Sequence, residues 1–445
     1  MLNERRMESI RWNKGNFRNR GERMKLYSSN DNYKLYQGSM LDMLEVIEPN
    51  TIDSIITDPP YELNFMNKGW DNSGIAFQSD TWKKCYEVLK PGGYLLAFGG
   101  SRTFHRIACA IEDAGFEIRD TIMWLYGSGF PKSMNISLML DKKEGLQGQR
   151  GVGGFNVGGI QEQSNRKAKL YIGSTTDGSK QKAYTDFKSD LAKKWQGWGT
   201  ALKPSYEPII VARKPLDGTV AKNCLKYGVG GINIDECRVG NETIYSLTKD
   251  LSATHGNNWG AGTPTPLTGE KVAHEGRFPA NTILTYDNTD FEEVCGGFPN
   301  TKSGSASRYF YCAKASKKDR DEGLDIEETV ITDGRKKPID NAFNRGETLR
   351  KNTHPTVKPT TLMQYLIRLV SPDGAVILDP FNGSGSTGKA VMYENREKHK
   401  NYKYIGIELT EEYLPIAKAR IEYVCNLPEE KLKEMQMSIF DIIGE

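Results

Sequence analysis

The tetrapeptide Asp58-Pro59-Pro60-Tyr61 follows a short apolar segment and combines groups that can act together on one planar amine. Proline cannot donate to a sheet ladder, so the strand predicted before it should end at Asp58. The Asp58 carboxylate can accept one N–H of an amino group, and the Pro59 carbonyl, held by the fixed φ of proline, can accept the other. Tyr61 can stack on the attached ring. The pattern therefore predicts a site that aims an exocyclic amine at an electrophile, and the alternative is a rigid loop with a solvent-facing Asp58.

A second candidate site lies near the other end of the chain, in the segment DPFNGSGSTG over residues 379–388. Gly383, Gly385 and Gly388 have the spacing G-x-G-x-x-G between a predicted strand and a predicted helix, and Glu408 ends the next predicted strand. Glycines let the backbone approach a ligand, and an acidic residue at that place can accept hydrogen bonds from ribose hydroxyls. The segment predicts a nucleoside cofactor, with a tight structural turn as the alternative.

The residue before this loop indicates which cofactor. A dinucleotide would place its pyrophosphate at the helix N-terminus, where the fixed carboxylate of Asp379 would repel it. S-adenosylmethionine has no phosphate and carries an ammonium group that Asp379 can pair with. The charge pattern thus favours S-adenosylmethionine over NAD or FAD, and its sulfonium methyl is an electrophile for the amine predicted above. Since the leaving group is neutral, such a transfer needs no oxyanion hole.

The elements that must position both sites show alternating helical and strand patterns, which predict an α/β fold with a mostly parallel sheet. The alternation stops at Gly127 and returns near residue 352, and eleven glycines lie within residues 127–178. A block this long is not an ordinary connection. We therefore predict four regions: a basic flexible tail (1–25), a catalytic half (26–126), an inserted domain (127–351) and a cofactor-binding half (352–445).

Composition limits the remaining function classes. The 445 residues carry a net charge of +3, and no apolar run is long enough to cross a membrane. Seven cysteines without a Cys-x-x-Cys pair favour a reducing cytoplasm, and we predict no metal site. Positive charge is local: residues 166–226 hold 13 Lys/Arg against five Asp/Glu. Basic residues mixed with aromatics are typical of a nucleic-acid surface, with a solvated face as the alternative.

Taken together, these motifs resemble those of the amino-directed DNA methyltransferases, which modify adenine N6 or cytosine N4. DPPY at 58–61 matches the family's catalytic motif, DPFNGSGSTG its cofactor motif, and HPTVKP at 354–359 the segment that precedes the cofactor motif. Their order, with a large insertion between them, resembles the permuted group called β. The blocks SYEPIIVARKP and SASRYFYCAKASKKDRDEGL also resemble phage and bacterial members, but apart from DNA contact they suggest no physical role, and the charge run in the second is most simply a solvated turn.

The resemblance implies a circularly permuted, doubly wound S-adenosylmethionine-dependent methyltransferase fold whose insertion is the target recognition domain. It implies catalysis by Asp58, Pro59, Pro60 and Tyr61. The residues that it implies for cofactor binding are Asp379, Pro380, Phe381, Asn382, Gly383, Gly385, Ser386, Glu408, Lys358, His354 and Asp42.

The expected activity is methylation of N6 of a flipped adenine in double-stranded DNA, in the cytoplasm. Aspartate at the first position of the motif favours adenine, while cytosine N4 stays open. Methylation of an RNA base or of a protein glutamine is a further alternative. The basic insertion argues against the protein substrate. The resemblance leaves open a homodimer and a cognate restriction endonuclease as partners.

Overall fold

The computed structural model describes most of the elements that position the predicted sites. The ranges that it describes are 25–63, 69–126, 133–146, 187–247, 271–285, 310–312, 314–332 and 347–432. The predicted basic tail lies outside these residues except for Lys25. Long parts of the predicted insertion also lie outside them.

The described residues fall into two compact units. One comprises the described residues within 1–127, 206–325 and 354–445, and the other comprises those within 128–205 and 326–353. The larger unit contains both predicted sites, and the smaller unit lies within the predicted insertion except for its last two residues, which end at Thr353.

The described strands have two to ten residues. They are β1 (Lys25–Ser29), β2 (Tyr33–Gln37), β3 (Ile52–Thr57), β4 (Leu89–Phe98), β5 (Glu117–Tyr126), β6 (Tyr206–Arg213), β7 (Val239–Leu247), β8 (Lys271–Arg277), β9 (Thr282–Thr285), β10 (Phe310–Tyr311), β11 (Thr329–Thr332), β12 (Glu347–Arg350), β13 (Val376–Asp379) and β14 (Lys403–Glu408). Strands β3 and β13 are buried along their whole length.

The α-helices alternate with these strands at both ends of the chain. They are α1 (Met40–Leu44), α2 (Ser79–Val88), α3 (Phe104–Asp113), α4 (Ile136–Lys143), α5 (Asp190–Lys194), α6 (Val220–Tyr227), α7 (Lys317–Asp321), α8 (Thr360–Val370), α9 (Ser386–Glu397) and α10 (Leu414–Cys425).

Ten of the described strands form one sheet in the order β1-β2-β14-β13-β3-β4-β6-β5-β9-β10. The five strands from β2 to β4 in this order are parallel to one another, and β6 runs antiparallel to both of its neighbours. Strands from the two ends of the chain thus lie side by side, since β13 pairs with β3 and β14 pairs with β2. The predicted α/β class with a mostly parallel sheet is confirmed, and the interleaving is what a permuted chain order requires.

Helices cover both faces of this sheet. One apolar cluster joins α1, α2 and α3 to inward residues such as Ile55 and Leu95, and the other joins α8, α9 and α10 to Ile56 and Leu96. Consecutive strand residues therefore face opposite cores, which explains why these strands read as continuous apolar runs. None of the described helices has both the length and the apolar character that crossing a bilayer requires.

The middle of the chain divides differently from the single insertion predicted over residues 127–351. Tyr206–Arg213 forms β6, an inner strand paired with β4 on one side and β5 on the other, and β9 also joins the sheet. The apolar run of SYEPIIVARKP was visible in the sequence, but its partners lie in segments that no local pattern connects to it. Only residues 128–205 and 326–353 separate from the sheet as a second unit.

Gly388, the third glycine of the loop motif, lies inside α9 where the helix packs on the sheet. A Cβ atom there would come within 2.5 Å of Tyr404 Cε1 on β14 and 2.6 Å of Ile421 Cδ1 on α10. This close packing of a helix on a strand is the role that the third glycine of the motif is expected to have.

We expect Gly388→Ala to destabilise the protein by roughly 1–2 kcal/mol, because overpacking costs about 1–3 kcal/mol and exceeds the gain of about 1 kcal/mol that alanine brings to a helix. The shift of the urea unfolding midpoint measures this. Gly231→Ala is the matched control, because nothing lies within 4 Å of a Cβ at that glycine. A Gly388→Ala variant as stable as the control would contradict the packing.

Candidate active site

The two predicted motifs meet because their strands are neighbours. In the β3–β13 pair, Leu378 lies opposite Ile55, and both strands run in the same direction toward the site. The Thr57 hydroxyl donates to Asp379 Oδ1 over 2.6 Å, which joins the two strand ends. Asp58 and the glycine loop therefore open onto the same edge of the sheet, where open α/β sheets bind ligands.

A lysine from the HPTVKP segment lies between two carboxylates at this edge. Lys358 Nζ is 2.6 Å from Asp58 Oδ2 and 3.4 Å from Glu207 Oε2, and the Tyr61 hydroxyl donates to Glu207 Oε2 over 2.9 Å. The same ammonium lies 5.2 Å from the ring centroid of Tyr61 and 4.9 Å from that of Phe98. The side chains of Lys358 and Asp58 are only 7% and 19% exposed, so water screens this cluster weakly.

Sequence reasoning missed Glu207. Because β6 runs antiparallel to β4, its first residues lie at the edge where the parallel strands end; Ile209 pairs with Phe98, and Gly99 N donates to the Pro208 carbonyl over 2.9 Å. The available signal was an acidic residue directly before an apolar run. It could not be used because the direction and position of β6 are not readable from its own residues.

The charges of this cluster are set by burial and by one another. Burial raises the pKa of Asp58 and Glu207 adds to this, whereas Lys358 lowers it; the net result is a pKa above the usual range. Burial alone would lower the pKa of Lys358, but Asp58 and Glu207 outweigh it and the pKa is raised, so the lysine is charged. Asp58 Oδ1 is buried and makes no hydrogen bond with any described group. It is an acceptor that a donor from a substrate could use.

Asp379 is buried beneath the glycine loop and already has partners. Its oxygens accept hydrogen bonds from Thr57 and Thr387, each over 2.6 Å, and from the amide of Phe381. Burial raises its pKa to about 7, although these hydrogen bonds oppose the shift. These contacts hold the strand end and the loop together, and an ammonium group that paired with Asp379 would share the same oxygens.

Glu408 closes the other side of the loop. Its carboxylate accepts hydrogen bonds from the amides of Gly383 and Thr410, each over 2.7 Å. Burial raises its pKa. Asn382 is buried as well, and its Oδ1 accepts the Tyr404 hydroxyl over 2.7 Å. These contacts fix the shape of the loop in which Gly383 adopts a positive φ of 52°.

His354 begins the segment that joins the two motifs. A Cβ atom on Gly383 would lie 2.9 Å from His354 Nε2, and the imidazole contacts the Tyr413 ring with centroids 4.5 Å apart. Residues 354–358 therefore extend from the glycine loop to Asp58. Burial, together with the charges of Lys358 and Arg420, lowers the pKa of His354 to about 3, so the ring is neutral.

The remaining predicted residues occupy different surroundings. Ser386 is buried and accepts a hydrogen bond from Arg420, and Phe381 is half-buried with its ring 6.4 Å from that of Trp82. Gly385 caps α9 with a φ of 73°.

Asp42 lies in the first turn of α1, the helix that follows β2. Strand β2 is the neighbour of β14, and just after it the amide of Gly38 donates to the Glu408 carbonyl. Pro59 and Pro380 are buried and Pro60 is partly exposed.

A second group that the sequence did not reveal lies behind the loop. Arg420 is fully buried and donates to the Ser384 carbonyl over 2.8 Å, and it also donates to Asp319 on α7. Lys389, 1% exposed, is paired with Asp319 and Glu322. The charge run containing these acids is thus more than the solvated turn that we predicted, because one of its aspartates is a partner of buried cations.

Comparison with known proteins identifies the family. A family model for N6/N4 methyltransferases, described as DNA methylase, matches residues 52–419. The chain therefore belongs to this DNA methylase family.

Individual relatives match over shorter stretches. The chain is 33% identical to the type II methyltransferase M.HpaI of Haemophilus parainfluenzae over 23% of this chain and 35% of that protein. It is 34% identical to the DNA adenine methyltransferase YhdJ of Escherichia coli (strain K12) over 19% of this chain and 26% of the relative. The matches thus span about a third or less of these relatives. Among solved structures, the chain is similar to the cytosine-N4-specific PvuII DNA methyltransferase, with a TM-score of 0.39, 14% identity, and coverage of 92% and 93% of the two chains.

The buried neutral His354 should make stability depend on pH. Its pKa is about 3 in the folded protein and near 6.5 in the unfolded chain. Between these values the His354 ring takes up a proton only in the unfolded chain, so unfolding is favoured as the pH falls below 6.5. Between pH 7.5 and pH 5, wild type should therefore lose about 2 kcal/mol more stability than His354→Gln. Urea unfolding at both pH values measures the difference. His105→Gln, at an exposed histidine, should behave like wild type; equal losses in wild type and His354→Gln would show that the ring is not held neutral.

Proposed function

We propose that this protein transfers the methyl group of S-adenosylmethionine to the exocyclic amino group of a base in double-stranded DNA, with adenine N6 as the target. The observation that carries the proposal is the buried, unpartnered Asp58 Oδ1, which lies at the sheet edge that also carries the glycine loop. Membership of the DNA methylase family supports DNA as the substrate.

The residues around the loop fit this methyl donor. Carboxylates lie on both sides of it, since Asp379 is beneath its first residues and Glu408 is bonded to the Gly383 amide. Such surroundings disfavour a phosphate and suit a ligand that carries positive charge and ribose hydroxyls. Glu408, Phe381 and Gly383, with the neutral His354 beside them, would hold the cofactor, which when bound supplies an electrophilic methyl group.

The chain's own groups then account for activation of the amine. Asp58 accepts one N–H through its free oxygen, the Pro59 carbonyl accepts the other, and together they direct the nitrogen lone pair toward the donor. The nitrogen gains positive charge as the bond forms. Asp58 and Glu207 carry two negative charges against the single charge of Lys358, so the cluster stabilises that positive charge. The product can lose its proton afterwards, so Asp58 need not be a strong base.

A base within a duplex must leave the stack to reach this edge. Phosphate contacts for such a complex require positive charge, and residues 166–226 carry 13 Lys/Arg against five Asp/Glu. We assign target recognition to the predicted insertion over residues 127–351, which includes nearly all of the smaller unit. The proposal includes a cytoplasmic location, which is supported by the DNA substrate and by cysteines that form no disulfide within the described residues. The proposal also includes two partners. A homodimer is tested by the oligomeric state of the purified protein, and a cognate restriction endonuclease is tested by the genes that neighbour this one.

Adenine is favoured over cytosine by Asp58 at the first position of the motif, given the resemblance, and by the relative that is named as an adenine methyltransferase. Mass spectrometry of nucleosides from DNA methylated by the purified protein should find N6-methyladenine. N4-methylcytosine would place the protein in the other branch of the family, and unmodified DNA from folded protein would refute the proposal.

Asp58→Asn should lower the rate of DNA methylation by at least roughly a hundredfold, because an amide is a weaker acceptor for an amine that gains positive charge. Binding of S-adenosylmethionine, followed by calorimetry, should stay within about twofold of wild type, since Asp58 is assigned to the amine. Asp80→Asn, an exposed aspartate on α2, is the control and should keep full activity. A near-native rate for Asp58→Asn would remove Asp58 from the mechanism.

Lys358→Met should move the acid limb of the pH profile of kcat/KM to higher pH. Lys358 lowers the pKa of Asp58, and without it the carboxyl group stays next to Glu207 and is protonated up to a higher pH. Lys398→Met, at an exposed lysine, should leave the profile unchanged. If Lys358→Met instead weakened cofactor binding while the acid limb stayed in place, the cofactor role that the family resemblance implies for this lysine would be the correct one.

A further inference from the structure

The short helix α7 (Lys317–Asp321) holds both ends of the segment that joins the two half-sites. Arg320 on this helix donates to the His354 carbonyl over 3.0 Å. Asp319 Oδ2 accepts the amide of Thr360 over 3.0 Å, and its Oδ1 accepts the Thr360 hydroxyl. The intervening residues include Lys358, so α7 fixes the chain on either side of the lysine that contacts Asp58.

Asp319 also connects this segment to the glycine loop. Lys389 on α9 donates to Asp319 Oδ1 over 2.9 Å and to its carbonyl over 3.0 Å. Arg420 on α10 donates to the same carbonyl over 3.2 Å and, through its other nitrogen, to the carbonyl and hydroxyl of Ser384. Ser384 lies between the two glycines of positive φ, so Arg420 supports the loop from the side that faces the core.

Two contacts depend on the negative charge of Asp319: Lys389 Nζ lies 2.9 Å from its Oδ1 and Arg420 Nη2 lies 3.7 Å from the same oxygen. Lys389 is 1% exposed and Arg420 is fully buried, and a buried cation is costly unless it is paired. Burial of Asp319 opposes its ionisation, but the charges of Lys389 and Arg420 and the hydrogen bonds from Lys389 and Thr360 outweigh burial and lower its pKa. Glu322 supplies the second counter-charge for Lys389, at 2.9 Å. An uncharged side chain at position 319 would remove the carboxylate that both buried cations contact.

We propose that Asp319 is a positioning residue that couples the donor half of the site to the amine half, by holding the Ser384 loop through Arg420 and the Lys358 segment through Thr360. This inference rests on the proposed function. The block that contains Asp319 lies within the predicted recognition insertion. The inference gives this block a role in assembling the methyl-donor site rather than in contacting DNA.

Asp319→Asn tests the coupling because it keeps the size of the side chain and removes its charge. The KM for S-adenosylmethionine should rise at least about tenfold and kcat should fall, because both the loop and the Lys358 segment shift. The KM for DNA should stay within about twofold of wild type. If Asp319 had only a general stabilising role, the active fraction would fall while both KM values stayed constant. Asp325→Asn, an exposed aspartate six residues further on, is the matched control.

Thr360→Val covers the case in which Asp319→Asn does not fold, as judged by circular dichroism. It removes the hydroxyl that donates to Asp319 and keeps the shape of the side chain and the backbone amide. We expect the KM for S-adenosylmethionine to rise about threefold and kcat to fall, again without a change for DNA. An unchanged donor KM and kcat in a folded variant of either kind would overturn the inference, as would a variant that loses DNA affinity alone.

Wild-type protein separates this inference from the proposed function. If wild type neither binds S-adenosylmethionine in a calorimetric titration nor methylates DNA, the proposed function itself fails. If wild type does both and the two variants match it, only the coupling through Asp319 is refuted.

Discussion

The parallel pairing of β3 with β13 is the constraint on which the rest of the structure depends. It brings the end of a strand from the first part of the chain beside the end of a strand from the last part, and the hydrogen bond from Thr57 to Asp379 joins those ends directly. The carboxyl edge of the sheet thereby receives Asp58 and the glycine loop together. Chain order is secondary to this pairing, because any connection that leaves the two strands adjacent produces the same edge.

Charge is arranged around this edge in two layers. In the layer that faces the site, Lys358 lies between Asp58 and Glu207, so each of the carboxylates has a counter-charge while one oxygen of Asp58 stays without a described partner. In the layer behind the loop, the buried cations Lys389 and Arg420 are paired with acids of the α7 region. Because these groups have low exposure, solvent screens their charges weakly, and removal of one partner would leave a buried charge without its counter-charge.

The two layers are connected through the residues that precede α8. His354 lies against Gly383 and Lys358 reaches Asp58, and α7 holds the chain at His354 and at Thr360. The middle of the chain thus contributes more to the site than a separate recognition unit would. It supplies Glu207 through an inner strand and Asp319 through a short helix, and both reach the site because the larger unit includes residues 206–325.

The sequence by itself determined the elements and the chemistry at their ends. Alternating apolar patterns located the strands and helices on either side of the middle block, and Asp58, Asp379 and Glu408 were recognisable because strand-ending motifs are local. Only the tertiary structure decided which strands are neighbours, that β6 enters the sheet antiparallel and brings Glu207 to Lys358, and that Asp319 serves two buried cations. The physical reason is that pairing and ion-pair contacts join residues far apart in the chain, and the periodicity of one segment carries no information about its partner.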